Sequence, residues 1–286
     1  MPKKMNRSMR RKRNKILMYL LLILVGIMMI YPLVWLLFAS FKTNEEIFGT
    51  TALLPANPVF DSYVEGWKGT GQFSFGVFLK NSFILVVPTV ILTLISSVLV
   101  GYGFARFHFP GHKILFALMI STMMLPNAVV VIPRYILYNK MGVLNSYDTF
   151  YLPAALACYP FFIFMMVQFF KGIPRELDES AKMDGCNSFQ TLIHVLLPLS
   201  KASVCSAAIF QSVWTWNDFF NSLIYINSVS KYPVSLGLRM SLDSADAAHW
   251  NEIFAMSIVS IIPCVILFFT AQKYFVEGIA TSGIKG

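Results

Sequence analysis

Residues 82–105 read SFILVVPTVILTLISSVLVGYGFA, 24 positions without a single Asp, Glu, Lys, Arg or His. A helix rises about 1.5 Å per residue, so this run is long enough to cross the roughly 30 Å hydrocarbon core of a bilayer. It is also too continuous to leave the polar face that a soluble helix or a coiled coil needs.

The same test applied outward from this stretch finds Ile16–Phe38, Ile114–Pro133, Thr149–Phe170, Ala202–Ile226 and Ile253–Gln272. Only Ala202–Ile226 contains a formal charge, Asp218, near one end. Backbone polar groups in hydrocarbon must be satisfied internally, so with Ser82–Ala105 these runs predict an all-α polytopic membrane protein with six transmembrane helices. Pro88, Pro126, Pro153, Pro160 and Pro263 fall inside or near the spans, where kinks are expected. Whole-chain composition agrees: 56% of the 286 residues are hydrophobic and 13% charged, with mean hydropathy +0.63. Soluble chains carry about 25% charged residues. This balance excludes disorder, collagen and a disulfide-stapled module. Cys158, Cys186, Cys205 and Cys264 are widely spaced and read as isolated small apolar residues.

The first apolar run exceeds the h-region of a signal peptide and is read as an anchor. With the N-terminus on the cytoplasmic side, residues 1–15, 106–113, 171–201 and 273–286 share one face and hold 16 of the 23 Lys and Arg. Eight of them lie in the first 15 residues, so both termini are expected inside. A basic arm can also meet nucleic acid, but directly before a span it is a topology signal, and no nucleic-acid partner is expected. Several of Trp35, Trp67, Trp214, Trp216 and Trp250 fall near outer span ends, as in an interfacial aromatic belt.

Catalytic chemistry is hard to find. There is no GxxxxGK[ST] phosphate loop and no GxSxG, and the carboxylates do not cluster. His108 and His112 have metal-like spacing, but Pro110 and Gly111 break any helix between them, and His194 and His249 stand alone. Coupled carriers place ionisable relays at mid-membrane, and the spans supply no Lys or Arg and only Asp218 among the acids. The chain reads as neither an enzyme nor a metal protein, with its energy delivered by another polypeptide.

The longest inside loop, 171–201, is where such a partner would touch. Pro174 suits a first helical turn leading into Arg175–Asp184, with Asp178 and Lys182 spaced to pair and Gly185 free to adopt the left-handed conformation that ends a helix. Ser188 is expected to cap a second helix, Phe189–Leu196, closed by Pro198. Two short helices meeting at a glycine form a compact knob.

Within this loop, Glu179-Ser180-Ala181, three residues, Gly185, nine residues, Val195, one residue and Leu197-Pro198 resemble the EAA coupling loop of ABC importer permeases, with spacing kept over 20 positions. Ser180 replaces the middle Ala and Val195 replaces Ile. Tyr31–Trp35, Ser40–Ile47, Trp216-Asn217-Asp218-Phe219 and Gln272–Gly278 resemble the carbohydrate-uptake branch, of the six-span maltose permease type.

The resemblance implies a division into a basic arm (1–15), a first span with outer loop (16–76), a permease domain (77–273) and a cytoplasmic tail (274–286) reaching toward the ATPase. It implies a multi-pass subunit of a bacterial cell membrane that passes sugar, delivered by an extracellular binding protein, through a heterodimer with a second permease. Two cytoplasmic ATPase subunits would bind the ATP and Mg, leaving this chain without a cofactor. Glu179, Ser180, Ala181, Asp184, Gly185, Leu197 and Pro198 would form the ATPase contact. Lys231, Arg239, Asp243, Asp246 and Trp250, in the polar loop 227–251, would face the binding protein. Asn217 and Asp218 either line the pathway or cap a kinked span. A secondary carrier for a neutral solute and, within the ABC class, a glycerol-phosphate or polyol permease are the alternatives.

Overall fold

The computed structural model describes residues 7–69, 72–243 and 249–283, and the regular elements among them are all helical. The chain separates into two compact units, Met1–Thr70 with Ser241–Val259 and Gly71–Met240 with Ser260–Gly286.

In the first unit, α1 (Arg7–Ala39) is helical from within the basic arm through the whole first apolar run, Pro32 included. Its side chains from Ile16 to Leu37 are largely exposed, which suits a segment surrounded by lipid rather than water. A polar knot follows. Ser62 Oγ donates to the Ser40 carbonyl at 2.6 Å, Ser40 Oγ lies 2.8 Å from the Tyr63 hydroxyl, and Val59 N–H donates to the Phe41 carbonyl at 2.8 Å. Lys42, only 2% exposed, donates its ammonium to the Ala52 carbonyl. α2 (Asn44–Gly49) is capped by Thr43 Oγ1, which accepts from Glu46 N–H, and α3 (Asp61–Lys68) presents Gly66 to Met256 at close range. Trp35 meets Phe254 edge-on at 5.5 Å.

The second unit is organised on α4 (Phe75–Arg106), 32 residues long and continuous through Pro88. After it come α5 (His112–Thr122), α6 (Asn127–Met141), α7 (Asp148–Ala155), α8 (Pro160–Gly172), α9 (Glu176–Met183), α10 (Ser188–Thr191), α11 (Leu197–Leu199), α12 (Lys201–Trp216), α13 (Phe219–Tyr225) and α14 (Val234–Asp243). α15 (Trp250–Gly283) supplies residues to both units. α4 packs chiefly on α8, α12 and α7. The α4–α8 seam is closest at Gly101, where a Cβ would fall 2.6 Å from Met166 Cβ, a contact no rotamer change can relieve. Gly101→Ala is therefore expected to force the two helices apart and destabilise the unit by about 1–3 kcal/mol, read as a lowered thermal midpoint of the detergent-purified protein.

Four helical segments are individually long and apolar enough to span, Arg11–Ala39, Phe75–Arg106, Asp148–Gly172 and Trp250–Gln272, and the count reaches six if each of two bent pairs is one span. One bent pair falls at Pro126, where a kink is expected, and the other joins Ser188–Leu199 to Lys201–Trp216 with an 80° bend at Ser200, so the fifth helical region starts earlier than Ala202. Over Ile114–Pro133 the helix stops at Thr122 and restarts at Asn127 with a 104° bend, because Pro126 sits in extended conformation and supplies no N–H. Over Ala202–Ile226, α12 stops at Trp216. There Asn217 Nδ2 donates to the Val213 carbonyl at 2.8 Å and Asp218 Oδ1 accepts from Asn221 N–H at 3.0 Å, local bonds that compete with the helical ladder. α7 and α8 are separated at residues 156–159, where Ala157 has φ +57 and Pro160 opens the next helix.

The helices also run past the apolar runs read as spans: α4 starts at Phe75 and carries Lys80, and α6 continues to Met141 and carries Arg134. α15 continues to Gly283 although no apolar periodicity announces a helix there. Trp216 does not join an interfacial belt, being buried with Nε1 donating to the Ser260 carbonyl at 3.1 Å.

Candidate functional site

Acidic side chains open α9. Glu176, Asp178 and Glu179 lie in its first turn and Lys182 in its last, each complementing the helix dipole. The helix ends as its glycine requires. Gly185, at φ +84, donates its N–H to the Lys182 carbonyl at 3.0 Å, and Cys186 donates to the Ala181 carbonyl at 2.9 Å, the paired bonds of a left-handed helix stop.

The second helix of the knob begins one residue earlier than expected, at Ser188. Asn187, not Ser188, is the cap: its Oδ1 accepts from Gln190 N–H at 2.9 Å while Gln190 Oε1 accepts from Asn187 N–H at 2.8 Å. Nor does Pro198 close that helix. Leu192–Leu196 widen into a π turn, with Leu197 N–H bonded to the Leu192 carbonyl, and the chain passes the proline before ending at Ser200. A proline lacks the N–H that an α register would ask of it, and a single wide turn accommodates the loss.

The knob is fastened to the end of α4. Arg106 Nε lies 2.9 Å from Asp178 Oδ2, with the two side chains only 7% and 14% exposed. Arg106 Nη2 donates to the Ile173 carbonyl at 3.1 Å, and the Tyr102 hydroxyl donates to the Ser188 carbonyl at 3.0 Å. Asp178 thus serves α4 where pairing with Lys182 was expected. Beneath the ion pair, Leu192 and Leu196 are buried with Tyr102, Phe162, Met166 and Phe170, and Ala181 is buried as well.

Of the seven expected contact residues, Glu179, Ser180, Asp184, Gly185 and Pro198 are exposed, Leu197 is half-buried and Ala181 faces inward. Beside them Met183 is 88% exposed and Phe189 64%. These two apolar side chains and Arg106 were not singled out by sequence reasoning. For Arg106 the usable signal was a lone cation at the end of a span, read there only as topology.

At the opposite end of α4, Asn81 Nδ2 donates to the carbonyls of Ser230 and Tyr232 at 2.8 and 3.0 Å, and Ser82 Oγ accepts from Val234 N–H at 2.8 Å. Asn145, at φ +58, uses all its polar atoms on residues 225–231. Its N–H donates to the Tyr225 carbonyl at 2.8 Å and its Nδ2 to Ser228 Oγ at 2.7 Å. Its Oδ1 accepts from Asn227 and Ser228, and its carbonyl accepts from Lys231 Nζ at 2.7 Å. Lys231 therefore braces its own loop. Tyr147 completes the joint, its hydroxyl donating to the Lys231 carbonyl at 3.0 Å. Burial pushes its phenol up to about 12, so the hydroxyl stays protonated at neutral pH. Asn145→Ala is expected to cost about 2–4 kcal/mol, from three lost side-chain hydrogen bonds and the left-handed backbone. Faster proteolysis within residues 142–148 and 226–233 would register it.

Among the other expected residues, Asp218 caps α13, Arg239 is exposed on α14, and Asp243 is the last residue of that helix. Trp250, in the first unit, packs 6.0 Å from Phe48, and Asp246 lies outside the described residues. His112 Nε2 bonds the Phe104 carbonyl at 3.0 Å, and His249 does not stand alone, its Nδ1 lying 3.3 Å from Glu252 Oε1. No group of three His, Cys, Asp or Glu able to hold a metal occurs among the described residues.

Helices long and apolar enough to cross a membrane, with a knob fastened to the central one, define a polytopic membrane subunit. Residues 97–281 match the family described as binding-protein-dependent transport system inner membrane component. The arabinooligosaccharides transport system permease of Bacillus subtilis is 32% identical over 275 residues, covering 95% of this chain and 96% of that one. The galactooligosaccharides transport system permease of Bacillus subtilis is 28% identical, covering 98% of each. In fold, a chain of a bacterial ABC transporter involved in the import of the acidic polysaccharide alginate superposes with TM-score 0.83 at 22% identity, over 95% of this chain and 99% of that one. The chain belongs to the binding-protein-dependent transport system inner membrane component family, and is a transport component rather than an enzyme.

Proposed function

We propose that this chain is one permease subunit of an ATP-driven importer of oligosaccharides, working as a heterodimer with a second permease. The observation that carries the reading is the fastened knob. Its inner side is bonded to α4 through Arg106 and Tyr102, while Glu179, Met183 and Phe189 on its outer side are exposed. A carboxylate flanked by apolar side chains suits a groove with a basic residue on a cytoplasmic ATPase subunit. Glu179 and Ser180 would make the contact, and Asp184, Gly185, Leu197 and Pro198 would shape the surface around it.

In this reading ATP and Mg are held by two such ATPase subunits, and their closure pulls on the knob of each permease. Swinging a bundle from 1:99 to 99:1 between inward- and outward-facing states takes about 5.5 kcal/mol, a load that docking of two knobs together with nucleotide can supply. The surplus of Lys and Arg on the knob side supports a cytoplasmic position for the knob and both termini. The braced segment 226–234, α14 with Arg239 and Asp243, and Trp250 would then face the extracellular binding protein on which the family depends. The sugar permeases among the relatives support oligosaccharides as the cargo class.

Reconstitution tests this reading. The complete transporter in proteoliposomes should accumulate sugar only with binding protein outside and ATP on the ATPase side. Accumulation by the isolated chain under an ion gradient alone would refute it.

A further inference from the structure

Arg134 is explained neither by the knob nor by the braced loop. It stands at the middle of α6, seven residues from each end, in a segment apolar enough to enter the membrane. A guanidinium there is costly unless it meets polar partners, and such residues mark functional sites. Its partners come from other elements. Tyr138, one turn along α6 and on the same face, is buried and meets the Tyr225 ring edge-on at 5.2 Å. The Tyr225 hydroxyl is buried without a hydrogen-bond partner and lies within electrostatic reach of Arg134. Asp218, the cap of α13, and Tyr159, just before α8, are both within electrostatic reach of Arg134.

Two details separate this cluster from a structural ion pair. None of the ion pairs among the described residues joins Arg134 to Asp218, so opposite charges share a site without closing on one another. And although Asn221 donates to Asp218 Oδ2 at 2.8 Å, its own Oδ1 is buried without a hydrogen-bond partner. Donors on Arg134 and Tyr225 are thus within electrostatic reach of the Asp218 carboxylate, to which Asn221 with its free acceptor is bonded, an arrangement that a group both donating and accepting would complete.

We propose that Arg134, Asp218, Asn221 and Tyr225 form a subsite for a neutral sugar ring, Arg134 donating to one hydroxyl while Asp218 and Asn221 accept from its neighbour. This rests on the oligosaccharide reading above and sharpens it. A neutral ring is chosen over a carboxylated one because Asp218 offsets the charge of Arg134, leaving no net attraction for an anion. A site built to bond hydroxyls also rejects analogues that lack them, since its own polar groups are then stranded.

The test uses the complete transporter in proteoliposomes, with radiolabelled neutral di- and trisaccharides, their monodeoxy analogues and a uronic-acid trisaccharide as probes. Arg134→Gln and Asp218→Asn are each expected to lower sugar carried per ATP hydrolysed about tenfold, and the double variant no further than the weaker single. Arg134→Lys should regain part of the loss. Asn caps helices as well as Asp, so Asp218→Asn reads the charge and not an unravelled α13. Preference for the parent sugar over its deoxy analogue should shrink toward parity in Arg134→Gln, a change that a merely structural role would not produce. Single variants carrying sugar at the parent stoichiometry, losses that multiply, or a parent transporter that carries only the uronic acid would each overturn the subsite. A parent that carries none of the sugars would remove the oligosaccharide reading along with it, whereas intact uptake by the variants removes the subsite alone.

Discussion

Arg106→Gln is expected to lower the stability of the protein by about 3–5 kcal/mol, the usual result of leaving one member of a buried ion pair without its partner. The stranded group is the Asp178 carboxylate, 14% exposed, and the Ile173 carbonyl loses a donor at the same time. Asp178→Asn should cost a comparable amount through the stranded guanidinium. Combining them should recover much of the loss, because neutral amides at the two positions can bond one another and leave no buried charge. Thermal unfolding of the detergent-purified single and double variants measures this coupling, and strictly additive losses would show that the pair does not act as a unit. The functional effect should exceed the thermodynamic one. With the ion pair gone the knob is held by the Tyr102 hydroxyl and by apolar packing alone, so a reconstituted Arg106→Gln transporter is expected to hydrolyse ATP with little sugar moved.

Glu179→Lys addresses the other side of the same knob. Glu179 is exposed and makes none of the fastening bonds, so the substituted protein should insert and melt like its parent. If Glu179 meets a basic groove, reversing its charge removes a charge-assisted hydrogen bond and adds a repulsion, typically about 2–5 kcal/mol at a desolvated contact. That corresponds to association with the ATPase weakened about 30-fold or more. Loss of the ATPase on co-purification, with the two permeases still together, is the expected result. Normal uptake by a well-expressed Glu179→Lys variant would count against the docking role.

These two substitutions divide what was legible in the sequence from what was not. The knob was legible because its signals are local. A glycine at positive φ closes its first helix and a fixed spacing runs on to Leu197-Pro198, although Pro174 lies before the Arg175 cap of α9 and not in its first turn. Where the local signals competed, the finer reading failed: Asn187 outranked Ser188 as a cap because Gln190 could answer it, and a π turn carried the chain past Pro198. The partners of Arg106 and Arg134 were invisible for a different reason. Arg106 and Asp178 are 72 positions apart and Arg134 and Tyr225 are 91 apart, and nothing local announces either meeting. The bends were legible in part. Charge-free runs located most of the helical regions long enough to span, with the fifth displaced to Ser188–Trp216, and Pro126 marked a kink without giving its angle. Proline and local side-chain bonds at Pro126 and at Asn217-Asp218 set where those helices break.

α4 holds the braced loop at one end, through Asn81 and Ser82, and the knob at the other, through Tyr102 and Arg106. Some 25 residues of unbroken helix, about 37 Å, separate these attachments. A strut with both ends pinned cannot yield at one end in private. Displacement imposed on the knob must reappear at the far face as tilt, or else be absorbed as flexure at Pro88, where one rung of the ladder is missing. The two surfaces are thereby obliged to keep time with each other, and the stiffness of a single proline turn sets how closely.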